Sequence, residues 1–217
     1  MSGFFKWGRK AVTEPAAMPP AVTVSDPVVP SKVLPAFLSS VSRQSSPVLL
    51  DLGPVVGSNV QLFGDRLACR LHVQDLFEQI RRATDPAAAD LVLASLRARL
   101  PTEPDSVDGI LCWDVFDYLD PLVSHSLAGD LVRLLRPGGV LHGYFATAST
   151  PLSTFTRFVV EADDAIRLQA YPGPTTRRRV LSLRDVERMF GGLRLAESVL
   201  LRTGSREMLF RRAAASP

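Results

Sequence analysis

The stretch Val48–Val60, VLLDLGPVVGSNV, decides how the chain is read. Three apolar residues, Val48-Leu49-Leu50, lead to an acid, Asp51, and then to Gly53. A continuous apolar run of this kind suits a strand of a parallel sheet whose two faces are both covered by helices. Gly53 lets the chain turn sharply and brings its backbone close to a ligand. Gly57 opens a helical pattern, Ser58–Leu67, whose first free N–H groups favour a carboxylate or another anionic group. The middle of the turn is Pro54-Val55-Val56. Pro54 deletes an N–H and pushes Gly53 out of the helical region, while a branched residue at 55 is disfavoured at positive φ. The loop is therefore expected to avoid a left-handed residue at Val55.

Working outward, Cys69–Val73 reads as a second strand ending at Gln74-Asp75. Asp85-Pro86 supplies an N-cap and a first-turn proline for a helix through AAADLVLASLRAR, which stops at Pro101. Asp108–Trp113 is the next strand. Asp120-Pro121 starts a helix, LVSHSLAGDLVRLLR, that Pro137-Gly138-Gly139 is expected to end, and VLHGYFAT follows as a strand. After a looser region come a strand near Ala165–Tyr171 and a helix, LRDVERMF, capped by Ser182 and ended by Gly191-Gly192. The chain closes with LRLAESVLLR, a turn at Thr203-Gly204-Ser205 and REMLFRR, an antiparallel hairpin. There are no internal repeats.

Strands alternating with helices, then a hairpin, predict an α/β fold. It is a Rossmann-like, doubly wound, mostly parallel sheet with an antiparallel C-terminal edge. Between Asp75 and Pro101 the pattern is helical where a third strand would stand, so the sheet is expected to be short on that side. Ligands of such sheets bind beyond the carboxyl ends of the strands, where the strand order reverses. The exit of the first strand, at Asp51–Gly53, is the place to look.

The totals narrow the function classes. Of 217 residues, 46% are hydrophobic, enough for a sizeable core, and no run approaches the roughly 18 apolar residues of a membrane span. A net charge of +3 is too weak a bias for a nucleic-acid binder. The last lysine is Lys32, and the Arg, Ala and Pro bias reads as bacterial codon usage rather than chemistry. Cys69 and Cys112 lie in apolar runs and read as buried thiols of a cytoplasmic protein. His72, His125 and His142 show no metal-ligand spacing, so no metal is expected. His142 reads as a strand residue packed under a helix.

Residues 1–31 form a proline-rich extended arm, and 32–217 form the domain, entered through an amphipathic helix at Lys32–Arg43. At the arm's tip Phe4, Phe5 and Trp7 interleave with Lys6, Arg9 and Lys10. No apolar core of seven or more residues follows, so a signal peptide is not expected, and Ser2 excludes myristoylation. The patch reads either as an anchor on a protein assembly or an anionic membrane surface, or as a frayed terminus. A second basic cluster, TTRRRV at 175–180, reads as a solvated connection or as a grip on an anionic group.

Three stretches give the chain a family resemblance. LLDLGPVVG, SVDGILCWDVFDYL and LVRLLRPGGVLHGYF resemble, in order and spacing, the first motif, the fourth-strand motif and the fifth-strand motif of the class I S-adenosylmethionine-dependent methyltransferases. The resemblance covers roughly residues 45–212. It implies the cofactor S-adenosylmethionine, with Asp51 and Gly53 lining its methionine end, Gly57 at the helix start and Asp75 on the ribose. Asp75 stands 22 residues beyond Gly53, the spacing at which α/β cofactor folds place an acid on ribose hydroxyls. Trp113 and Asp114 would flank the reacting centre, with Asp114 and Tyr118 as the catalytic candidates. Each residue also has a plainer reading: Asp51 caps the turn, Asp75 caps the helix LFEQIRR, and Trp113 is core. The family's second glycine falls at Val55, so this first motif is divergent. Two functions follow. One is a methyltransferase acting on a small molecule or a protein; the other is an inactive domain of that fold serving as a subunit through its N-terminal arm.

Overall fold

The computed structural model of the protein describes residues 26–82, 89–147, 155–170, 179–202 and 204–214. The aromatic-basic tip (Phe4 to Lys10), Asp85-Pro86 and most of the 175–180 cluster lie outside these residues. The elements run β1 (Val28–Pro30), α1 (Leu34–Val41), β2 (Val48–Asp51), α2 (Gly57–Leu67), β3 (Arg70–Val73), α3 (Phe77–Arg82) and α4 (Ala89–Arg97). They continue through β4 (Val107–Trp113), a 3₁₀ turn at Val115–Asp117, α5 (Pro121–Leu134), β5 (Leu135–Ala146), β6 (Thr156–Ala162), β7 (Ala165–Ala170), α6 (Leu183–Met189), β8 (Arg194–Leu200) and β9 (Ser205–Arg211).

Six strands form the main sheet in the order β3-β2-β4-β5-β9-β8. β3, β2, β4 and β5 are parallel; β9 joins β5 antiparallel and β8 joins β9 antiparallel. This is the Rossmann-like sheet with its terminal hairpin. Among the described residues no strand lies beyond β3, and α3 and α4 occupy the stretch where a third strand would come.

Side-chain alternation along the strands divides the core in two. Leu50, Ile110, Cys112, Leu141, Phe145, Met208 and Phe210 face a cluster built with α3, α4, α5 and α6. Leu49, Leu111, Trp113, Val140, Tyr144 and Leu209 face the opposite cluster, under α1, α2 and a second sheet. That second sheet has three strands in the order β1-β7-β6, all antiparallel. Two of its strands are additions to the sequence reading: β6 lies in the region read as loose, and β1 lies at the end of the extended arm.

Local chemistry explains the boundaries. Asp120 caps α5 by accepting from Leu122 N, and Pro121 fills its first turn. Ser182 caps α6 by accepting from Asp185 N. The end of α5 departs from expectation: the helix already stops at Leu134, and Pro137-Gly138-Gly139 lies within β5. The three residues form an irregularity there. β5 pairs Leu135 with Val107 and resumes at Val140 opposite Gly109, with Gly138 at φ +80°. Cys69 falls just before β3 rather than inside it, and both cysteines are free thiols.

Candidate functional site

In the main sheet the chain passes from β2 outward to β3 and returns on the other side of β2 as β4. The strand order therefore reverses between β2 and β4, and the crevice at their carboxyl ends is the place a ligand of such a sheet takes. β2 delivers Asp51 and Gly53 to that crevice and β4 delivers Trp113, two residues beyond Leu111, which pairs with Asp51.

Asp51 is 3% exposed, and its Oδ1 accepts two hydrogen bonds, from Gly53 N at 2.9 Å and from Trp113 Nε1 at 2.6 Å. Burial raises its carboxyl to about 6, against the lowering effect of those two bonds, and nearby Asp75 pushes in the same direction as burial. Gly53 has a steric reason to be glycine. A Cβ there would lie 2.5 Å from Trp113 Cδ1, so the indole rests directly against the glycine. Gly57 has none: a Cβ there would meet nothing within 4 Å. No residue of 53–57 has positive φ, and Pro54 is buried while Val55 points outward, 61% exposed. The divergent loop thus follows a path that branched residues tolerate.

Trp113 is the strained residue of the site. Its φ is +48°, in the left-handed region that bulky side chains avoid, yet it is 2% exposed. Its outer face stacks on Phe158 of β6 at 5.1 Å with 12° between planes, and Phe158 stacks in turn on Tyr144 of β5 at 5.0 Å. β6 is itself fastened to the start of α2. Asn59 Nδ2 donates to Phe158 O and Asn59 Oδ1 accepts from Val160 N, each at 2.8 Å. Both readings of Trp113 meet here, since it belongs to the core cluster and also stands in the crevice.

Asp75 is half-buried just past β3, and its Oδ1 accepts from Phe77 N at 3.0 Å, so it caps α3. Asp114, fully buried, accepts from Tyr118 OH at 3.2 Å, which brings the two catalytic candidates together. Asp117 beside them has a structural task, with its carboxylate accepting from Ala146 N. His142 is buried under α1, its ring 6.0 Å from Phe37, and its Nε2 lies 2.9 Å from Glu207. Sequence reasoning missed Asn59, Phe158 and Tyr144. Asn59 was visible only as a polar residue at a helix start, and Phe158 only by its alternation with Val160.

A family model described as a methyltransferase domain matches residues 50–142, the span that holds every one of these crevice residues except Phe158 and Tyr144. Over these residues the chain is similar to the methyltransferase-domain family. Among solved structures, the chain is similar to S-adenosylmethionine-bound CalS10, an amino pentose methyltransferase from Micromonospora echinaspora involved in calicheamicin biosynthesis. That pair shares 16% identity, with 83% of this chain and 90% of that one covered and a TM-score of 0.51. A 1,6-didemethyltoxoflavin-N1-methyltransferase from Burkholderia thailandensis aligns at 16% identity over 84% of this chain and 77% of its own, with a TM-score of 0.49. The N-methyltransferase NodS from Bradyrhizobium japonicum WM9 aligns at 15% identity over 82% and 85%, with a TM-score of 0.46. At such identities the likeness is one of fold. No curated protein matches the sequence.

The crevice can be tested against S-adenosylmethionine, the cofactor that the similarity implies. The two acids, Asp51 and Asp75, stand at the carboxyl ends of adjacent strands, where such a ligand would run. The methionine end does not fit as the domain is folded. Trp113 occupies the space over Gly53, and one oxygen of Asp51 already holds two N–H donors.

Proposed function

We propose that this domain binds S-adenosylmethionine across the carboxyl ends of β3, β2 and β4 and serves a methyltransferase of still unassigned acceptor. The observation that carries the reading is the placement of Asp51 and Asp75 on neighbouring strand ends, on the side where the chain reverses across the sheet. In this reading Asp75 accepts from ribose hydroxyls, and the first turn of α2 faces the anionic end of the ligand. The cofactor supplies an electrophilic methyl group. In this reading Asp114 and Tyr118, joined by a 3.2 Å hydrogen bond, are the catalytic candidates that would hold or move a proton.

A second reading keeps the fold and drops the catalysis: a binding domain that no longer takes the cofactor. One observation favours it, the indole of Trp113 in the crevice. In that reading the N-terminal arm, with its aromatic-basic tip, attaches the domain to a protein assembly or an anionic membrane surface. No helix among the described residues is long and apolar enough to cross a membrane.

Calorimetric titration with S-adenosylhomocysteine separates the two. Wild-type protein should bind, and Asp75→Asn should bind at least tenfold more weakly. Asn caps a helix as well as Asp, so α3 stays intact while the ribose loses a charged acceptor. Absence of binding by folded wild type at millimolar ligand would favour the second reading.

A further inference from the structure

We infer that Trp113 is a built-in occupant of the cofactor crevice, held there by the β6–β7 hairpin, and that the cofactor enters only as the indole leaves. The inference rests on the reading of the crevice as the cofactor site.

Three independent features carry it. The first is conformational. A tryptophan at φ +48° is costly, and such strain persists only where the surroundings over-determine it. The second is chemical: the indole gives Asp51 Oδ1 a buried N–H at 2.6 Å, the type of donor that a ligand's ammonium or hydroxyl would otherwise present to that carboxylate. The third is the cover. Phe158 lies parallel on the outer face of the indole, and the backbone of β6 on either side of Val159 is clamped by both ends of the Asn59 amide. Asn59 stands in the first turn of α2, so one side chain joins the helix start that would face the ligand to the hairpin that covers it.

A ligand that competes with a resident side chain has its apparent dissociation constant raised by the inverse of the open fraction. Replacing the occupant by glycine removes both the competitor and the strain, since glycine tolerates positive φ. Trp113→Gly should therefore bind S-adenosylhomocysteine at least tenfold more tightly than wild type. Asn59→Ala, which frees the hairpin and leaves the indole in place, should bind more tightly by a smaller factor.

The experiment is calorimetric titration of full-length wild type, W113G and N59A with S-adenosylhomocysteine, with folding checked by circular dichroism. In parallel, acrylamide quenching is read from Trp113 alone in a Trp7→Phe protein. Tighter binding by W113G, together with easier quenching of Trp113 as ligand saturates the protein, supports the inference. Equal binding by wild type and W113G overturns it while the cofactor reading stands. No binding by either folded protein overturns both. Should W113G fail to fold, the quenching result decides alone: a Trp113 that is no more accessible in the saturated protein overturns the inference.

Discussion

The carboxyl of Asp51 is buried, and both N–H groups that reach it share one oxygen. Its folded value of about 6 lies above the ordinary 3.8, so the folded state binds this proton more tightly than the unfolded chain does. The contribution to stability is full below about pH 4 and is lost as pH rises through about 6. The loss amounts to about 3 kcal/mol at 1.36 kcal/mol per unit. Asp51→Asn should remove this dependence and be the more stable protein at pH 7.5, as urea denaturation at pH 4.5 and 7.5 would show. A wild type whose stability rises between those two values would contradict the assignment. The acid and Gly53 were legible in the sequence because strand, acid and turn glycine are a local pattern. Trp113 was only half legible. Strand alternation says which face a residue takes, but neither its left-handed backbone nor its contact with a glycine 60 positions away leaves a local trace.

Among the elements, the small sheet is what the sequence concealed. β6 carries Arg157 and Glu161 beside Phe158 and Val160, so its apolar face is only two residues long, and β1, on the other side of β7, is only three residues long. Long-range polar contacts add to the packing of Phe158, Val160 and Ile166 in holding it. Asn59→Ala should raise amide exchange across Thr156–Ala162 and cost about 2 kcal/mol, because two buried backbone groups of β6 lose their partners. The junction of β1 and α1 depends on Glu207 of β9. Its carboxylate, wholly buried, takes Ser31 Oγ, Lys32 N at 3.0 Å and Tyr144 OH at 3.0 Å, with His142 Nε2 at 2.9 Å. Burial alone would raise its carboxyl, but the hydrogen bonds from His142, Ser31 and Lys32 N outweigh that and hold it at about 2. Glu207→Gln puts an NH2 group among donors and should destabilise by about 2–4 kcal/mol in thermal or chemical denaturation. Gly109 of β4 is a third test. A methyl there would meet Leu49, Val41 and Phe37 within 2.9 Å, so Gly109→Ala should cost about 1–3 kcal/mol.

At the scale of the whole molecule, the two ends of the sheet do different work. At the amino ends of β2 and β4, Asp108 accepts from Val48 N at 2.7 Å and pairs with Arg136 at 3.1 Å, a purely structural tie. At the carboxyl ends stand Asp51, Asp75, Trp113 and Asp114, the residues to which the family resemblance gives roles. The order of strands and helices was legible because each element has its own period and punctuation, and the shortened edge at β3 showed as helical pattern where a strand belonged. The contents of the crevice were not legible, since they come from β4 and β6, elements that meet only in the fold. A crystal structure of the protein grown with S-adenosylhomocysteine addresses this point without intermediaries. The ligand should lie between the ends of β2 and β4, with the Trp113 indole displaced from Gly53 and its bond to Asp51 broken. A ligand bound elsewhere, or one seated there with the indole still against Gly53, would contradict the account.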